Sequence, residues 1–428
     1  MTEEAGEPQG ATAAATVLPL LGLLSAGVYL LGFRAAPELH PSLTYQALFY
    51  PLLLLAAAAA RWVWRRPGRA RLAWIIAFAA LFRLLAMADP PSLSSDIHRY
   101  AWDGRVQRAG ISPYAHPPEA PALASLADEV IHPRINRPWA RTIYPPGAQL
   151  LYRVLPYDID AIRLVMVILD LLTILLLARL LAVLGLDPAR VVLYAWCPFV
   201  VYEVGNNGHL EAAMLPLLVG AVLAWHAGRS RLVGALIGAA AAMKLYPALV
   251  FVALGRPRPV RTLAALLAVP LALYGAYGWA AGADVLGFLP DYVRAAEDHN
   301  VGLRALLQAL LFGMPHAREV AFAACTLALL VGAAVLWRRG GPPEEVLPAL
   351  IGLYLLTLPT AFHPWYALWL VPWLCVRPQP AWLWLVAALP LSYLKYATVD
   401  GVMPGWVRPI EFLPTFALLA WAAFRGRR

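Results

Sequence analysis

Charge is scarce in this chain. Asp, Glu, Lys and Arg make up 14% of its 428 residues, against 61% that are hydrophobic. A soluble fold of this length needs far more polar surface, so the composition excludes one and indicates an all-α polytopic membrane protein. Cysteine is nearly absent. Cys197, Cys325 and Cys375 lie far apart within apolar runs, a pattern of buried thiols rather than of disulfides or metal ligands. The stretch Met1 to Ala15 is acidic and lacks the basic start of a secretory leader, so no cleaved signal peptide is expected. Internal repeats are missing, as are low-complexity linkers beyond the Ala/Gly-rich start. A nucleic-acid surface is missing too, although basic residues outnumber acids by 34 to 25. The bases sit in short clusters between apolar runs: Arg61 to Arg71, Arg229 to Arg231, Arg256 to Arg261, Arg338-Arg339 and Arg425 to Arg428. That is the positive-inside pattern of membrane loops.

What the chain has is apolar runs of the length a bilayer requires, about 20 residues each. Twelve candidate spans fall at 16–33, 43–62, 70–88, 160–183, 189–204, 209–227, 261–281, 317–337, 345–360, 364–376, 381–397 and 407–424. Pro198, Pro216, Pro270 and Pro372 are expected to break or kink theirs. With the basic clusters in the cytoplasm, both termini lie inside. Segment 232–254 is long enough to cross, but arginines flank both ends and Met243-Lys244-Leu245-Tyr246-Pro247 interrupts it. It reads as two half-helices forming a re-entrant hairpin. Three regions result: N-terminal spans in 1–88, an outer loop with amphipathic helices in 89–159, and the remaining spans with the hairpin in 160–428.

The topology gives four polar segments the extracytoplasmic side: 89–159, the turn at Asn206-Asn207-Gly208-His209, 282–316, and Phe362 to Tyr366. No free nucleotide sugar or ATP is expected there, so an activated group must arrive on a lipid. Within the first loop, Ser95 to Arg108 reads as a helix capped by Ser94 or Ser95 and ended by Gly110 and Pro113. At 100° per residue, Asp96, Tyr100, Asp103 and Gln107 share one face, with Arg99 at its edge and Trp102 turned to the lipid boundary. Packing explains such a face poorly, although a solvated helix with Arg99 paired to Asp103 would also produce it. Asp96 and Asp103 are two turns apart, about 10 Å along the axis, too far for a shared ion.

The order of the following motifs is informative. An acid opens the outer loop. Gly110-Ile111-Ser112-Pro113-Tyr114 and Thr142-Ile143-Tyr144-Pro145-Pro146 follow, then Glu203-Val204-Gly205-Asn206-Asn207-Gly208-His209-Leu210-Glu211, Lys244-Leu245-Tyr246-Pro247, Asn300-Val301-Gly302-Leu303 and His363-Pro364-Trp365-Tyr366. This series, over roughly residues 85 to 370, resembles the polyprenyl-phosphate-sugar-dependent glycosyltransferases of the GT-C superfamily. It is most like bacterial and mycobacterial mannosyltransferases of the family 87 kind, and the first mannosyltransferase of GPI-anchor synthesis has a related arrangement. Two extra helices, 16–33 and 43–62, before the one that delivers Asp96 depart from that pattern.

The resemblance implies a helical GT-C bundle in the plasma (inner) membrane. It also implies inverting transfer of a sugar, mannose by analogy, from a polyprenyl phosphate to a lipid or glycan hydroxyl, with Asp96 as the catalytic base. Chemistry agrees: an attacking hydroxyl must lose a proton, and one carboxylate in reach can take it. The leaving lipid phosphate needs its charge stabilised, for which Arg99, Lys244, His209, His299, Arg304 and His363 are candidates. Tyr100, Asp103, Gln107, Tyr144, Asn207, Glu211, Asn300 and Tyr366 complete the expected substrate-binding set. No metal or other cofactor is expected, because there is no second phosphate to bridge.

Plainer roles compete for several of these residues. His209 and His363 would serve equally as satisfied caps, Lys244 as a snorkelling or acid-paired lysine, and Glu203 and Glu211 as partners of the Asn-Asn-Gly-His turn. Asp170 and Lys395 read as interhelical contacts, and Trp365, Trp369, Trp373, Trp382 and Trp384 as an interfacial belt. The rival function is a lipid or solute transporter or flippase, which would place its charges at mid-membrane and show paired halves.

Overall fold

The computed structural model describes residues 9–32, 38–68, 70–281, 284–294, 299–300, 302–357 and 361–425. Within them the regular secondary structure is all helical, apart from one isolated parallel bridge between His299 and Ala361. Three helices lead in: α1 (Gln9–Leu31), α2 (Pro41–Arg65) and α3 (Leu72–Ala86). The polar loop carries α4 (Asp96–Arg108) and α5 (Pro146–Val154), with 3-10 turns at Pro121–Leu126 and His132–Arg134 between them. Next come α6 (Ile159–Val183), the short α7 (Val192–Ala195) and α8 (Pro198–Val201), a π turn at Tyr202–Asn206, and α9 (Glu211–His226). The hairpin is α10 (Ser230–Ala241), a 3-10 segment Tyr246–Val250 and α11 (Phe251–Leu254). The remainder is α12 (Pro259–Ala281), α13 (Leu289–Arg294), α14 (Gly302–Leu310), α15 (Ala317–Arg339), α16 (Pro343–Thr357), α17 (Val371–Leu374), α18 (Pro380–Ala388) and α19 (Val407–Arg425).

Five helices among the described residues are long and apolar enough to cross a membrane: α2, α6, α12, α15 and α19. This is a multi-pass α-helical membrane protein. Twelve continuous helices do not appear among the described residues, and the expected breaks at Pro198 and Pro372 do. Segment 189–204 is a 3-10 turn, two single-turn helices and part of the π turn, while 364–376 holds one 3-10 turn and α17. Segment 381–397 changes from α18 to a 3-10 helix at Leu389. Pro198, Pro372 and Pro390 each sit in the first turn of a new piece, where a missing N–H costs nothing and the preceding helix must end. By contrast, α9 runs on through Pro216 and α12 through Pro270. The hairpin is broken at residues 242–245, between α10 and the 3-10 segment that opens on Tyr246.

The core lies around α6, whose Ile162, Met166, Ile174, Leu177 and Leu181 are fully buried. One polar knot crosses it. Arg83 donates through Nε to Asp170 at 2.6 Å and through Nη1 to the Ala195 carbonyl at 2.8 Å, and the Tyr194 hydroxyl donates to the same carboxylate. A buried ion pair survives only when its remaining donors and acceptors are satisfied, and here three segments supply them. The aromatic belt does not form as expected. Trp365, Trp369, Trp373 and Trp382 are buried, and of that group Trp384 alone is exposed. Trp102 is also not at a lipid boundary. The polar loop folds back over α4, so Trp102 packs with Val106, Leu123 and Ile135 and lies 4.8 Å from the His132 ring.

Candidate active site

The buried Asn206-Asn207-Gly208 turn fixes where the loop starts. The Ser92 amide and hydroxyl donate to Asn206 Oδ1 at 3.3 and 3.0 Å, and the Leu93 amide donates to Asn207 Oδ1 at 3.2 Å. Asn206 Nδ2 donates back to the carbonyls of Ala86, Asp89 and Pro90. Gly208 has φ +66°, and a Cβ there would come 2.6 Å from Ile97 Cδ1. Only glycine permits both the left-handed backbone and that contact with the first turn of α4. The result is a held Asp96 at the helix N-terminus, where a carboxylate is also favoured by the helix dipole.

A second tie brings up the hairpin. The Gly147 amide donates to the Ala242 carbonyl at 2.8 Å, and a Cβ on Gly147 would lie 2.6 Å from that oxygen. Pro146 starts α5 and the bare Gly147 lets it dock on the hairpin break, which sets Lys244 near Tyr144. A third tie joins distant loops. The Phe362 amide donates to the His299 carbonyl at 2.8 Å beside the His299–Ala361 bridge, leaving the His299 and His363 rings 5.0 Å apart.

These ties enclose a cavity of about 680 Å³. Its wall includes Asp96, Arg99, Asn136, Arg137, Arg141, Tyr144, Lys244, Tyr292, His299, His363, Trp365, Tyr366, Lys395 and Tyr396. Asp96 is half-buried; Asn136 Nδ2 donates to its Oδ1 at 2.7 Å and the Tyr144 hydroxyl to its Oδ2 at 3.4 Å. Burial, reinforced by the nearby Asp96, holds the Tyr144 phenol well above its usual range, so it is a proton donor and not a base. Lys244 donates to Glu211 at 2.5 Å, and its ammonium lies 5.3 Å from the Tyr366 ring centre. The wall thus has one acid and five Arg or Lys residues.

Two of the histidines expected as cations, His299 and His363, sit where their charged form is disfavoured. Burial and then the charges of Lys395 and Arg408 bring His299 down to about 3. Burial, then His299 and Lys395, drive His363 in the same direction. At neutral pH they offer one N–H each, not a charge. Trp365 lies between two imidazoles, 4.3 Å from His209 and 4.4 Å from His363, nearly parallel to both.

Of the residues the sequence singled out, Asp96, Arg99, Tyr144, Lys244, His299, His363 and Tyr366 line this cavity. Tyr100, Asp103 and Gln107 do not, because that face of α4 is pressed onto α5. Tyr100 stacks on Tyr152 at 4.7 Å, Asp103 accepts from Arg99 at 2.8 Å and from Gln149 at 2.8 Å, and Gln107 is held by Gln149 and by Tyr277. His209 and Glu211 stand one contact behind the wall, touching Trp365 and Lys244 respectively, and Asn207 lies farther back, held to Leu93 and Glu203. Asn300 and Arg304 are buried outside it, with the Arg304 guanidinium 5.7 Å from the Phe322 ring. Sequence reasoning missed Asn136, Arg137, Arg141, Tyr292 and Tyr396, and it read Lys395 and Trp365 as structural. Arg137 carried a detectable signal only in its backbone: φ is +50°, a left-handed conformation that non-glycine residues reserve for special positions.

A second cavity of about 520 Å³ adjoins the first, sharing Ile143, Tyr144, Lys244, Tyr292 and Tyr366 in its lining. Its other walls are mainly apolar, with Leu245, Tyr246, Leu249, Leu289, Phe322, Leu329 and Tyr354. A charged chamber beside an oily one suits a substrate with a polar head and an apolar tail.

The model of glycosyltransferase family 87 matches residues 142–359, half of the chain. The chain belongs to glycosyltransferase family 87. No curated protein and no solved structure matches it. Family 87 is of the GT-C type, so the cavity belongs to a membrane glycosyltransferase and the transporter reading is set aside. The matched span contains Tyr144, Lys244, Tyr292 and His299 of the wall, while Asp96, Asn136, His363 and Lys395 lie outside it.

Proposed function

We propose that this family 87 enzyme transfers a sugar, mannose by analogy, from a polyprenyl-phosphate donor to a lipid or glycan hydroxyl on the extracytoplasmic face of the plasma membrane. The observation that carries this reading is the adjacent pair of chambers, one rich in cations and one apolar, with Lys244, Tyr292 and Tyr366 lining both. A prenyl chain fits the apolar chamber, and its single phosphate then lies at the shared rim, beside Lys244 and the phenols of Tyr292 and Tyr366. Asp96 is the general base. The acceptor oxygen bonds to the anomeric carbon as its proton passes to the Asp96 carboxylate, and the bond from that carbon to the phosphate oxygen breaks with its electron pair. Attack opposite the leaving phosphate inverts the anomeric centre. The developing phosphate charge is met by Lys244 and by the N–H groups of the neutral histidines. One phosphate leaves nothing for a metal to bridge, so the reaction is proposed to need none.

The test is transfer from polyprenyl-phosphate mannose to lipid acceptors in detergent. Asp96→Asn keeps the side-chain shape and the acceptor for Asn136, reverses the bond with the Tyr144 hydroxyl and removes the base, so the rate should fall by about 10²- to 10⁴-fold with folding unchanged. Retained activity in Asp96→Asn would remove Asp96 from this role.

A further inference from the structure

A third cavity lies away from the chambers just described and has no part in the proposed chemistry. It is an apolar groove of about 280 Å³ walled by Ala57, Leu193, Cys197, Leu374, Leu383 and Val386, among others. One side is α2, from Leu53 at one end of the groove to Trp64 at the other. Eleven residues of helix advance about 16 Å, which matches the roughly 15 Å of hydrocarbon in half a bilayer. The first part of α2 packs on the 3-10 segment that bears Lys395 (Gln46 donates to the Pro390 carbonyl at 2.6 Å), so the Trp64 end points away from the catalytic cavity.

At that far end the lining turns cationic and amphipathic. Arg61 and Trp64 belong to the groove itself. The Arg190 guanidinium lies 5.3 Å from the Trp64 ring centre and is tied to the Val376 carbonyl at 3.5 Å. Arg377, exposed, directly precedes the lining residue Pro378. Arg61 in the lining and Arg190 against Trp64 thus stand at one mouth, with Arg377 next in sequence to its lining residue Pro378 and Arg65 and Arg66 next along α2. Asp187 is also at this end, where its carboxylate accepts from the amides of Gly68 and Ala189 at 2.7 and 2.9 Å. An indole and arginines at one end of a leaflet-deep oily slot are what an anionic lipid headgroup and its chain require.

We infer that this groove is a binding site for one anionic phospholipid. An acyl chain lies along α2, and the headgroup phosphate sits among Arg61, Arg190 and Arg377. The inference is independent of the transferase reading, since it uses a different cavity and the opposite end of α2.

Full-length protein in non-ionic detergent, titrated with phosphatidylglycerol or phosphatidylcholine of matched chains and read by native mass spectrometry, tests it. Wild type should hold phosphatidylglycerol about tenfold more tightly or better, from headgroup contacts with arginines. The double variant R61Q/R377Q should lose that preference and keep its phosphatidylcholine binding. Ala57→Trp, which fills the groove from an exposed helix position, should weaken both lipids. Equal affinity for the two lipids in wild type overturns the site, as does R61Q/R377Q retaining the preference. So does unchanged binding in a folded Ala57→Trp, or a second copy of the chain displacing lipid. If Ala57→Trp fails to fold, the exposed arginine pair alone decides.

Discussion

Helix α4 presents two polar edges of similar composition that do opposite things. Asp96 and Arg99 open onto the cavity, whereas Asp103 and Gln107, one and two turns further on, are sealed against α5. The difference is in burial. Asp103 meets Arg99 and Gln149, Gln107 meets Gln149 and Tyr277, and both side chains are buried between α4 and α5. Asp96 also accepts from two side chains, Asn136 and Tyr144, but it is half-exposed on the cavity wall. A carboxylate on this helix is therefore informative once its exposure is known, and much less so from its position on a helical wheel.

Substitutions that separate stability from turnover should split these two edges. Asp103→Ala strands the buried Arg99 guanidinium and should cost about 3 kcal/mol of stability. Thermal unfolding in detergent would show it, while the specific activity of the surviving fold stays within a few-fold of wild type. A large loss of turnover at unchanged stability would place Asp103 with Asp96 instead. On the open edge, Asn136→Ala removes a hydrogen bond to a charged acceptor and should lower the rate about tenfold, with little change in unfolding. An unfolding loss without a rate loss would make Asn136 a structural residue.

The smallest expected effect concerns the far wall. In the unfolded chain His299 takes a proton near pH 6.5, whereas in the fold it resists protonation down to about 3. Its contribution to stability is therefore complete above pH 6.5 and is lost as pH falls through that window. Between pH 7 and pH 5 the wild type should lose on the order of 1–2 kcal/mol through this group, with His363 acting in the same direction. His299→Gln should flatten that part of the pH dependence in unfolding measurements. An unchanged slope would mean that His299 is charged in the fold.

Much of the scaffold was legible because it rests on local rules. Helix α4 begins and ends within a residue of its polar signals, and segment 232–254 leaves the α-helix around Lys244, just before Pro247. The family showed in the order of short motifs, several of which turn out to be scaffold. Asn206 and Asn207 fasten the loop and Gly208 admits Ile97, which explains their residue types without any substrate. What stayed hidden was assembled across long separations. Asn136, Arg141, Tyr292 and Lys395 occupy segments without periodicity and meet only when four segments converge. The neutrality of His299 and His363 was equally invisible, since it follows from burial and neighbouring cations that only the fold supplies. Segment 189–204 reads as one span with a break or kink at Pro198, and its further division into four short pieces was not visible because hydropathy reports oiliness and not continuity.

The bridge between His299 and Ala361 makes residues 300–360 a closed excursion: the chain leaves the cavity wall at one histidine and returns beside the other. Neither ring is held by how far the chain travels in between. Helices α15 and α16 lie on that excursion and supply Phe322, Leu329 and Tyr354 to the apolar chamber, so a change in their length would reshape the oily cavity while the two histidines keep their spacing.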